Sequence, residues 1–331
     1  MRLILGIDGG QSSTRTVLAN ADGEILGACR TGPSNHIHEV GGLERQYAAL
    51  HDGMLGAFAA AGITPRRVAV ACLGLTGSGH RPTVEAALAA QRITLLGDMD
   101  IAFAGAIPDL VGTAVIAGTG TIAHGRDAQG NVHRTGGWGY LAGDEGGGYD
   151  LGVRALRAVY RAVDGRGPQT ALTKVLLEHY RARDERHLRE VIYRPGTTRA
   201  HIAASAAGVA EAAAAGDSVA GGLLHESALA LAELVNGVLD ALDASAARAV
   251  VMLGGVAAAG PPLLDPCVQA VRTRHPAARL KAPRFDAVRG ALILALRELG
   301  VERLSAAQLK HLDRTITYRD GLQSEPEEDA T

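Results

Sequence analysis

Two separated stretches of the chain share one plan. An apolar strand runs into a Gly-rich turn, returns as a second strand, turns again at an Asp-Gly or Asn-containing corner and continues as a third. The first is Leu3-Ile4-Leu5-Gly6-Ile7-Asp8-Gly9-Gly10-Gln11-Ser12-Ser13-Thr14, continuing through Thr16-Val17-Leu18-Ala19 and the turn Asp22-Gly23 into Ile25-Leu26-Gly27. The second is Ala114-Val115-Ile116-Ala117-Gly118-Thr119-Gly120-Thr121-Ile122-Ala123, then Asp127-Ala128-Gln129-Gly130-Asn131 and Val132-His133. Each turn gathers backbone N–H groups and small hydroxyls with no large side chain in the way, which is what an anion needs. Two such turns facing each other would grip one polyphosphate.

The element after each turn decides between the alternatives. A dinucleotide fold or a P-loop sends its Gly-rich loop straight into a helix, whereas both loops here feed another strand. No G-x-x-x-x-G-K-[ST] string occurs, and the only lysines are Lys174, Lys281 and Lys310. A phosphate-wrapping β-hairpin present twice resembles the sugar kinase, actin and heat-shock-chaperone superfamily of ATP-binding folds. The fold class expected is therefore α/β: two ribonuclease H-like (actin-like ATPase) domains with a nucleotide and sugar cleft between them.

With 331 residues, 47% of them hydrophobic, the chain can bury two moderate cores, and the repeat favours two domains. A formal net charge of -2 argues against nucleic acid as a partner. Cys29, Cys72 and Cys267 form neither a disulfide framework nor a CxxC metal pair, and read as reduced core thiols of a cytoplasmic protein. The first apolar run is broken at once by Asp8 and glycines, so it is no signal segment, and no stretch is expected to span a membrane.

Helical spacing of Leu43, Tyr47, Leu50, Met54, Leu55 and Phe58 predicts a helix over 42–61. A buried strand is expected over 67–75, a short helix over 82–91, a strand over 93–96 and a helix from Met99 to Ala106. The second domain opens with the repeated strands over 113–134, passes through a Gly-rich segment and enters a long helical region with Ala-rich tracts over 203–215 and 221–242. There Asp217, after Gly216, reads as a helix N-cap. A buried strand, 249–253, runs into Gly254-Gly255-Val256, succeeded by helices over 263–274 and 288–299. The domains are placed at 1–112, joined by the helix at about 288–300, and 113–287. Residues 301–331 form a tail that docks one short helix between Ser305 and Tyr318 and turns acidic and solvated from Arg319.

Asp8 ends the first strand beside glycines, where a carboxylate can hold Mg²⁺ directly or through water. Gly9, Gly10, Gln11, Ser12, Ser13 and Thr14 offer N–H groups and hydroxyls to nucleotide phosphates, and Gly118, Thr119, Gly120 and Thr121 form the opposing loop. Phosphoryl transfer to an alcohol needs a base for the hydroxyl proton, with the rest supplied by positioning and charge. Asp98, at the exit of a strand and the start of a helix, is placed for that role; Asp100, two residues on, points elsewhere. In Gly136-Gly137-Trp138-Gly139-Tyr140-Leu141-Ala142-Gly143-Asp144-Glu145-Gly146-Gly147-Gly148 the glycines let a ligand approach the backbone. Trp138 offers a flat apolar face, and Asp144 and Glu145 can accept hydrogen bonds from sugar hydroxyls.

These strings are similar to the N-acetylglucosamine kinase group of the BadF/BadG ATPase family over roughly residues 3 to 298. The matching pieces are Gly6 to Gly10, Gly32-Pro33-Ser34-Asn35-His36, Asp98 with Ala102, Ala117 to Gly120, Gly137-Trp138-Gly139 through Gly143-Asp144-Glu145-Gly146, and Gly254-Gly255-Val256. The resemblance implies that Asn35, Thr119, Trp138 and Asp144 line an amino-sugar pocket, that Asp98 is the base, and that Gly254 and Gly255 approach the adenosine. It implies two lobes closing on ATP-Mg and sugar, and a homodimer. Where many relatives carry a third glycine this chain has Gln11, and where they often carry Ser it has Thr121; neither exchange removes a donor the phosphate needs. The cysteine motif of the family's iron–sulfur activators and the zinc cluster of repressor-type sugar kinases are both missing. His36 and His38 suit a sugar-facing loop better than a metal site.

The expected activity is ATP-dependent phosphorylation of an amino-sugar hydroxyl, with N-acetylglucosamine to N-acetylglucosamine 6-phosphate foremost. The alternatives are a glucosamine kinase and an ATPase-type activator or regulator of a partner protein.

Overall fold

The computed structural model describes residues 1–35, 37–77, 79–242 and 249–320. By its internal contacts the chain divides into two compact units, Met1–Leu110 with Pro283–Thr331, and Val111–Ala282. The first unit opens with β1 (Leu3–Gly9), β2 (Thr14–Asn20), β3 (Ile25–Thr31), α1 (Gly42–Ala60), β4 (Val68–Leu75), α2 (Arg81–Ala87), β5 (Ala90–Gly97) and α3 (Asp98–Ala106). The second holds β6 (Gly112–Ala117), β7 (Thr121–Arg126), β8 (Val132–Gly136), α4 (Gly148–Val163), α5 (Leu172–His179), α6 (Glu185–Ile192), α7 (Arg199–Ala204), α8 (Ala206–Ala214), α9 (Ser218–Ala241), β9 (Ala249–Leu253), a short 3-10 turn (Gly255–Ala259), α10 (Pro261–Arg274) and β10 (Arg279–Lys281). The chain then returns to the first unit with α11 (Ala287–Glu298), α12 (Ala306–Leu312) and β11 (Arg319–Asp320).

The first unit is a six-stranded sheet in the order β11-β3-β2-β1-β4-β5. β1 pairs antiparallel with β2 and parallel with β4, and β4 pairs parallel with β5. The pleat sends alternate residues of β1 to opposite faces. Leu3, Leu5 and Ile7 pack with Leu50, Met54 and Phe58 of α1, while Ile4 packs with Ile101 of α3 and with Val288 and Leu292 of α11. An apolar run without alternation therefore folds as a central strand covered on both faces.

Two glycines let α3 and α11 touch backbone to backbone. A Cβ on Gly290 would lie 1.8 Å from the Ile101 carbonyl oxygen, and one on Gly105 would lie 2.2 Å from that of Asp286. α1 departs from the expected apolar face: Leu43, Tyr47 and Leu55 are exposed, and the buried face includes Gln46 and Gly53. The helix is rotated because Gly53 and Gly56 seat it against β2 and β3. A Cβ at Gly53 would meet Thr16 Oγ1 at 2.6 Å, and one at Gly56 would meet Cys29 Sγ at 2.3 Å. β11 pairs in parallel with Cys29 and Arg30 at the sheet edge, so Arg319 and Asp320 continue the fold where a solvated end was expected. The acidic stretch from 321 onward lies outside the described residues, as does His36.

The second unit carries a five-stranded sheet, β10-β9-β6-β7-β8, under a helical layer. The long helical region resolves into α4 to α9. Asp217 caps α9 by accepting the Ala220 N–H at 2.8 Å and also ties Thr170 and Ala171, as an N-cap carboxylate should. At 24 residues, α9 is long and apolar enough by composition to cross a membrane, contrary to the expectation that no segment would be. Its Leu224, Leu231, Val235 and Val238 are buried in the core of this unit.

Candidate active site

The parallel register of β1, β4 and β5 brings three chain exits to one edge of the first sheet. Asp8 stands opposite Gly74, Gly9 opposite Leu75, and Leu75 opposite Gly97. Asp8, Thr76 and Asp98 thus emerge side by side at the carboxyl ends of adjacent strands, where α/β sheets place ligands. The Thr76 N–H donates to the Gly9 carbonyl at 2.9 Å, locking the β4 exit to the first Gly-rich turn.

Asp98 is the first residue of α3 and is exposed. Its Oδ2 accepts the Thr76 hydroxyl at 2.8 Å, and its Oδ1 accepts the Met99 N–H at 2.9 Å. The helix cap is Gly97, whose N–H donates to Asp100 Oδ2 at 3.1 Å. Asp100 is thereby turned back onto the Gly97 amide, and Asp98 keeps an accessible carboxylate.

Asp8 is largely buried and forms a tight ion pair with Arg15 on the partner strand. Burial pushes its carboxyl above the usual carboxylate range; Arg15 opposes that push, and the carboxylates of Asp98 and Asp286 reinforce it. Asp286 caps α11, accepting the Arg289 N–H at 3.1 Å and its guanidinium at 2.9 Å. Tyr318 is half-buried, its phenol pushed up by burial to about 12, and lies within the field of Arg15, Asp286 and Arg289. Beneath the first turn, then, lies a charged cluster contributed by both ends of the chain.

In that turn the Gly10 N–H donates to the Ser13 carbonyl at 3.0 Å, leaving Gln11 and Ser12 exposed at the tip and Thr14 buried. A Cβ on Gly9 would strike Ser34 Oγ at 2.3 Å and Leu75 Cδ2 at 2.4 Å, so the glycine is needed for the close approach of the 32–35 segment. Asn35 is 7% exposed, and its Oδ1 has no hydrogen-bond partner among the described residues. An orphaned buried amide oxygen is costly unless something else completes it. Gln46, fully buried on α1, steadies this segment: its Nε2 donates to the Ser34 carbonyl at 3.0 Å, and its Oε1 accepts the His80 N–H at 3.1 Å.

In the second unit, β6 and β9 run in parallel and deliver Gly118 and Gly254 side by side. Gly254 has φ +95°, and a Cβ there would lie 2.3 Å from the Ala117 carbonyl oxygen; Gly254 and Gly255 are both exposed. The Gly118 N–H donates to the Gly120 carbonyl at 3.0 Å. The first turn of α4 closes over this loop, with the Gly148 N–H on the Gly118 carbonyl at 2.8 Å and the Tyr149 N–H on the Thr119 carbonyl at 3.0 Å. Thr119 itself is exposed, while Thr121 is buried.

The Gly-rich segment packs against the same loop. Asp144, at φ +65°, accepts the Thr121 N–H at 3.1 Å, and the Thr121 hydroxyl donates to the Glu145 carbonyl at 3.1 Å. The Gly137 N–H donates to the Thr121 carbonyl at 2.9 Å, and Gly139 also has positive φ. Trp138 is 72% exposed. Asp144 therefore braces the phosphate-type loop from within, whereas Trp138 and the Glu145 side chain remain open to solvent.

Among the described residues no group of three or more His, Cys, Asp or Glu could cage a metal ion. A Mg²⁺ ion needs no such cage, because it keeps several waters and takes one or two protein carboxylates with substrate phosphates. Asp8, with Oδ2 held by Arg15, is a fitting single carboxylate.

Thr76, Gln46, Arg15 and the Asp286–Arg289–Tyr318 group are absent from the sequence-based set. Thr76 had a signal: it opens the small-residue run Thr76-Gly77-Ser78-Gly79 right after a buried strand. Gln46 had none, since a polar residue within a helical repeat reads as outward-facing.

Residues 5–295 match the model of the BadF/BadG/BcrA/BcrD ATPase family. The chain belongs to this family. Among its relatives is the N-acetylmuramic acid/N-acetylglucosamine kinase of Clostridium acetobutylicum, 30% identical over 306 residues, covering 90% of this chain and 99% of that one. The N-acetyl-D-glucosamine kinase of Dictyostelium discoideum is 32% identical over 315 residues, covering 89% and 98%. A solved structure described as a candidate N-acetylglucosamine kinase from Chromobacterium violaceum superposes with a TM-score of 0.72 at 30% identity, covering 89% of this chain and 99% of that one. Within the BadF/BadG/BcrA/BcrD family, the two α/β sheets are those of an actin-like sugar-kinase fold.

Proposed function

We propose that this protein transfers the γ-phosphoryl group of ATP to a hydroxyl of an amino sugar, foremost the 6-hydroxyl of N-acetylglucosamine. The observation that carries this reading is the exposed Asp98 carboxylate, oriented by Thr76, at the same sheet edge as Asp8 and the first Gly-rich turn. The kinase names of full-length relatives support it.

In the reaction the sugar oxygen forms a bond to phosphorus, the bond from phosphorus to the β-phosphate oxygen breaks, and the hydroxyl proton goes to Asp98. The Thr76 hydroxyl and the Met99 amide both donate to Asp98, which fixes the direction in which it accepts. Mg²⁺, when bound, neutralises developing charge on the phosphate oxygens, with Asp8 as the residue that would hold it. The backbone of Gly9 to Thr14 and of Gly118 to Thr121 binds phosphates, and Gly254 and Gly255 lie against the adenosine. Asn35, Thr119, Gly137, Trp138, Gly139, Asp144 and Glu145 form the sugar side. The orphaned Oδ1 of Asn35 supports that assignment, since a sugar hydroxyl would complete it. The free, buried cysteines fit a cytoplasmic setting, and the family resemblance leads us to expect a homodimer.

ADP release from ATP-Mg should be measured sugar by sugar with N-acetylglucosamine, glucosamine, N-acetylmannosamine, N-acetylmuramic acid, glucose and no sugar. The expected result is release that depends on N-acetylglucosamine. Dependence on glucosamine alone would move the acceptor, and equal release in every well, sugar-free included, would replace the kinase with an ATPase-type regulator.

A further inference from the structure

A cavity of about 760 Å³ opens in the second unit along α4, against α6 and the start of α7. Its floor is apolar, with Val153 and Leu156 from α4, Ile192 from α6 and Ile202 from α7. Its charged lining is entirely cationic: Arg157, Arg161, Arg166 and Arg189, without an acidic side chain. Arg166 is neutralised by Asp164 at 2.5 Å, and Arg161 donates to the Arg166 carbonyl at 3.0 Å. Arg157 and Arg189 make no hydrogen bond or ion pair among the described residues. Three tyrosines also line the cavity: Tyr149, Tyr160 and Tyr193. The Tyr160 hydroxyl is used on the Glu185 carbonyl at 3.1 Å, while Tyr193 is 81% exposed.

Two unpaired guanidiniums and an exposed aromatic side chain lining one cavity with apolar residues suit an anion carried on a ring-shaped body. Arginine is the side chain suited to bidentate recognition of a phosphate, and its weaker hydration lowers the cost of bringing it to an apolar surface. Tyrosine faces suit the flat side of a sugar or base. Along α4, Arg157 lies about 12 Å and Arg161 about 18 Å from Tyr149 at 1.5 Å rise per residue. The cationic end is therefore remote from the Gly118–Thr121 loop, whereas the Tyr149 end is bonded to it through the Thr119 carbonyl.

We infer that this groove is a binding site for a phosphate monoester carried on a ring, a sugar phosphate or a nucleoside monophosphate. The inference stands independently of the kinase reading, because its ligand-binding residues lie outside the candidate active site.

The test is calorimetric titration of the full chain with glucose 6-phosphate, AMP, inorganic phosphate and glucose, repeated on the Arg157→Ala/Arg189→Ala double variant and on Asp98→Asn. Saturable binding of a ring monoester is expected, weakened tenfold or more in the double variant and unchanged in Asp98→Asn. Preference between glucose 6-phosphate and AMP identifies the source. Binding that ignores the arginine pair overturns the site, as does inorganic phosphate binding as tightly as either monoester. Failure of all four probes to bind the wild type overturns it too. Both arginines are exposed, so the double variant should melt with the wild type; if it does not, Tyr193→Ala takes its place with the same expected weakening. ADP release by the wild type, with and without sugar, judges the kinase reading separately.

Discussion

The Thr76 hydroxyl donates to Asp98 Oδ2 at 2.8 Å, joining the exit of β4 to the first residue of α3. A general base is typically responsible for 10²–10⁴-fold of rate. Asp98→Asn should therefore lower kcat by at least about a hundredfold while nucleotide affinity, read by titration, stays within about twofold. Thr76→Val should cost about tenfold in kcat, equivalent to one hydrogen bond of about 1.4 kcal/mol to a charged group. Full turnover in Asp98→Asn would remove it from the reaction.

The two glycines of the second turn separate ligand binding from folding. A Cβ on Gly120 would lie 2.4 Å from Asp144 Oδ2 and displace the carboxylate that receives the Thr121 N–H, whereas a Cβ on Gly118 meets nothing within 4 Å. Gly120→Ala should lower both the melting temperature and activity. Gly118→Ala should leave melting unchanged and weaken ATP binding by about tenfold, the effect of a methyl group placed where a phosphate must approach. Equal melting losses in both would mean that the turn is purely structural.

Trp138 is 72% exposed, so packing gives it little to do. Trp138→Ala should change stability by no more than about 0.5 kcal/mol. The KM for the amino sugar should nonetheless rise about tenfold while the KM for ATP holds, as expected for the loss of one stacking face. Unchanged sugar kinetics would take Trp138 out of the pocket.

Gln46 bridges the Ser34 carbonyl and the His80 N–H from inside the core. Gln46→Leu leaves both groups without that partner, and each buried unsatisfied group costs about 1–3 kcal/mol. Chemical denaturation should show that loss, and the sugar KM should rise more than the ATP KM because Asn35 adjoins Ser34. An ATP-only defect would disconnect Gln46 from the sugar side.

Asp8 gives stability a pH signature. Its folded pKa is raised, chiefly by burial, so the native state holds the proton more tightly than the unfolded chain does. The stability it contributes is present below its ordinary value of 3.8 and is lost as pH rises through the folded pKa. Asp8→Asn does not titrate, so its melting temperature relative to wild type should climb as pH is raised from below 3.8 toward neutrality in nucleotide-free buffer. A gap that is flat or shrinks across that range would contradict the burial account.

The sheet strands were readable because apolar β1, β4, β6 and β9 end in glycines or acids that punctuate them. Asp98 at a strand exit and Asp217 as a cap were readable for the same reason, since local chemistry fixes both. The α1 face was not. Its burial is decided by Gly53 and Gly56 meeting β2 and β3, a contact between distant segments that brings Gln46 inward. β11 was hidden by its acidic surroundings and exists through pairing with β3. In the candidate site, Asp8, Asp98 and the two Gly-rich loops could be placed at strand ends and turns, but Thr76, Gln46 and Arg15 act on other residues, and a linear chain does not show who their neighbours will be.

The contact of Gly290 with Ile101, and of Leu292 with Gly6, also imposes an order on biosynthesis. A ribosome delivers β1 well before α11, which follows only after the whole of Val111–Ala282 has emerged. Until then one face of the first sheet, with Ile4, Val17 and Val70, lacks its covering helix. The first sheet must therefore wait with that apolar face uncovered, while Val111–Ala282, made before α11, already holds β6 to β10.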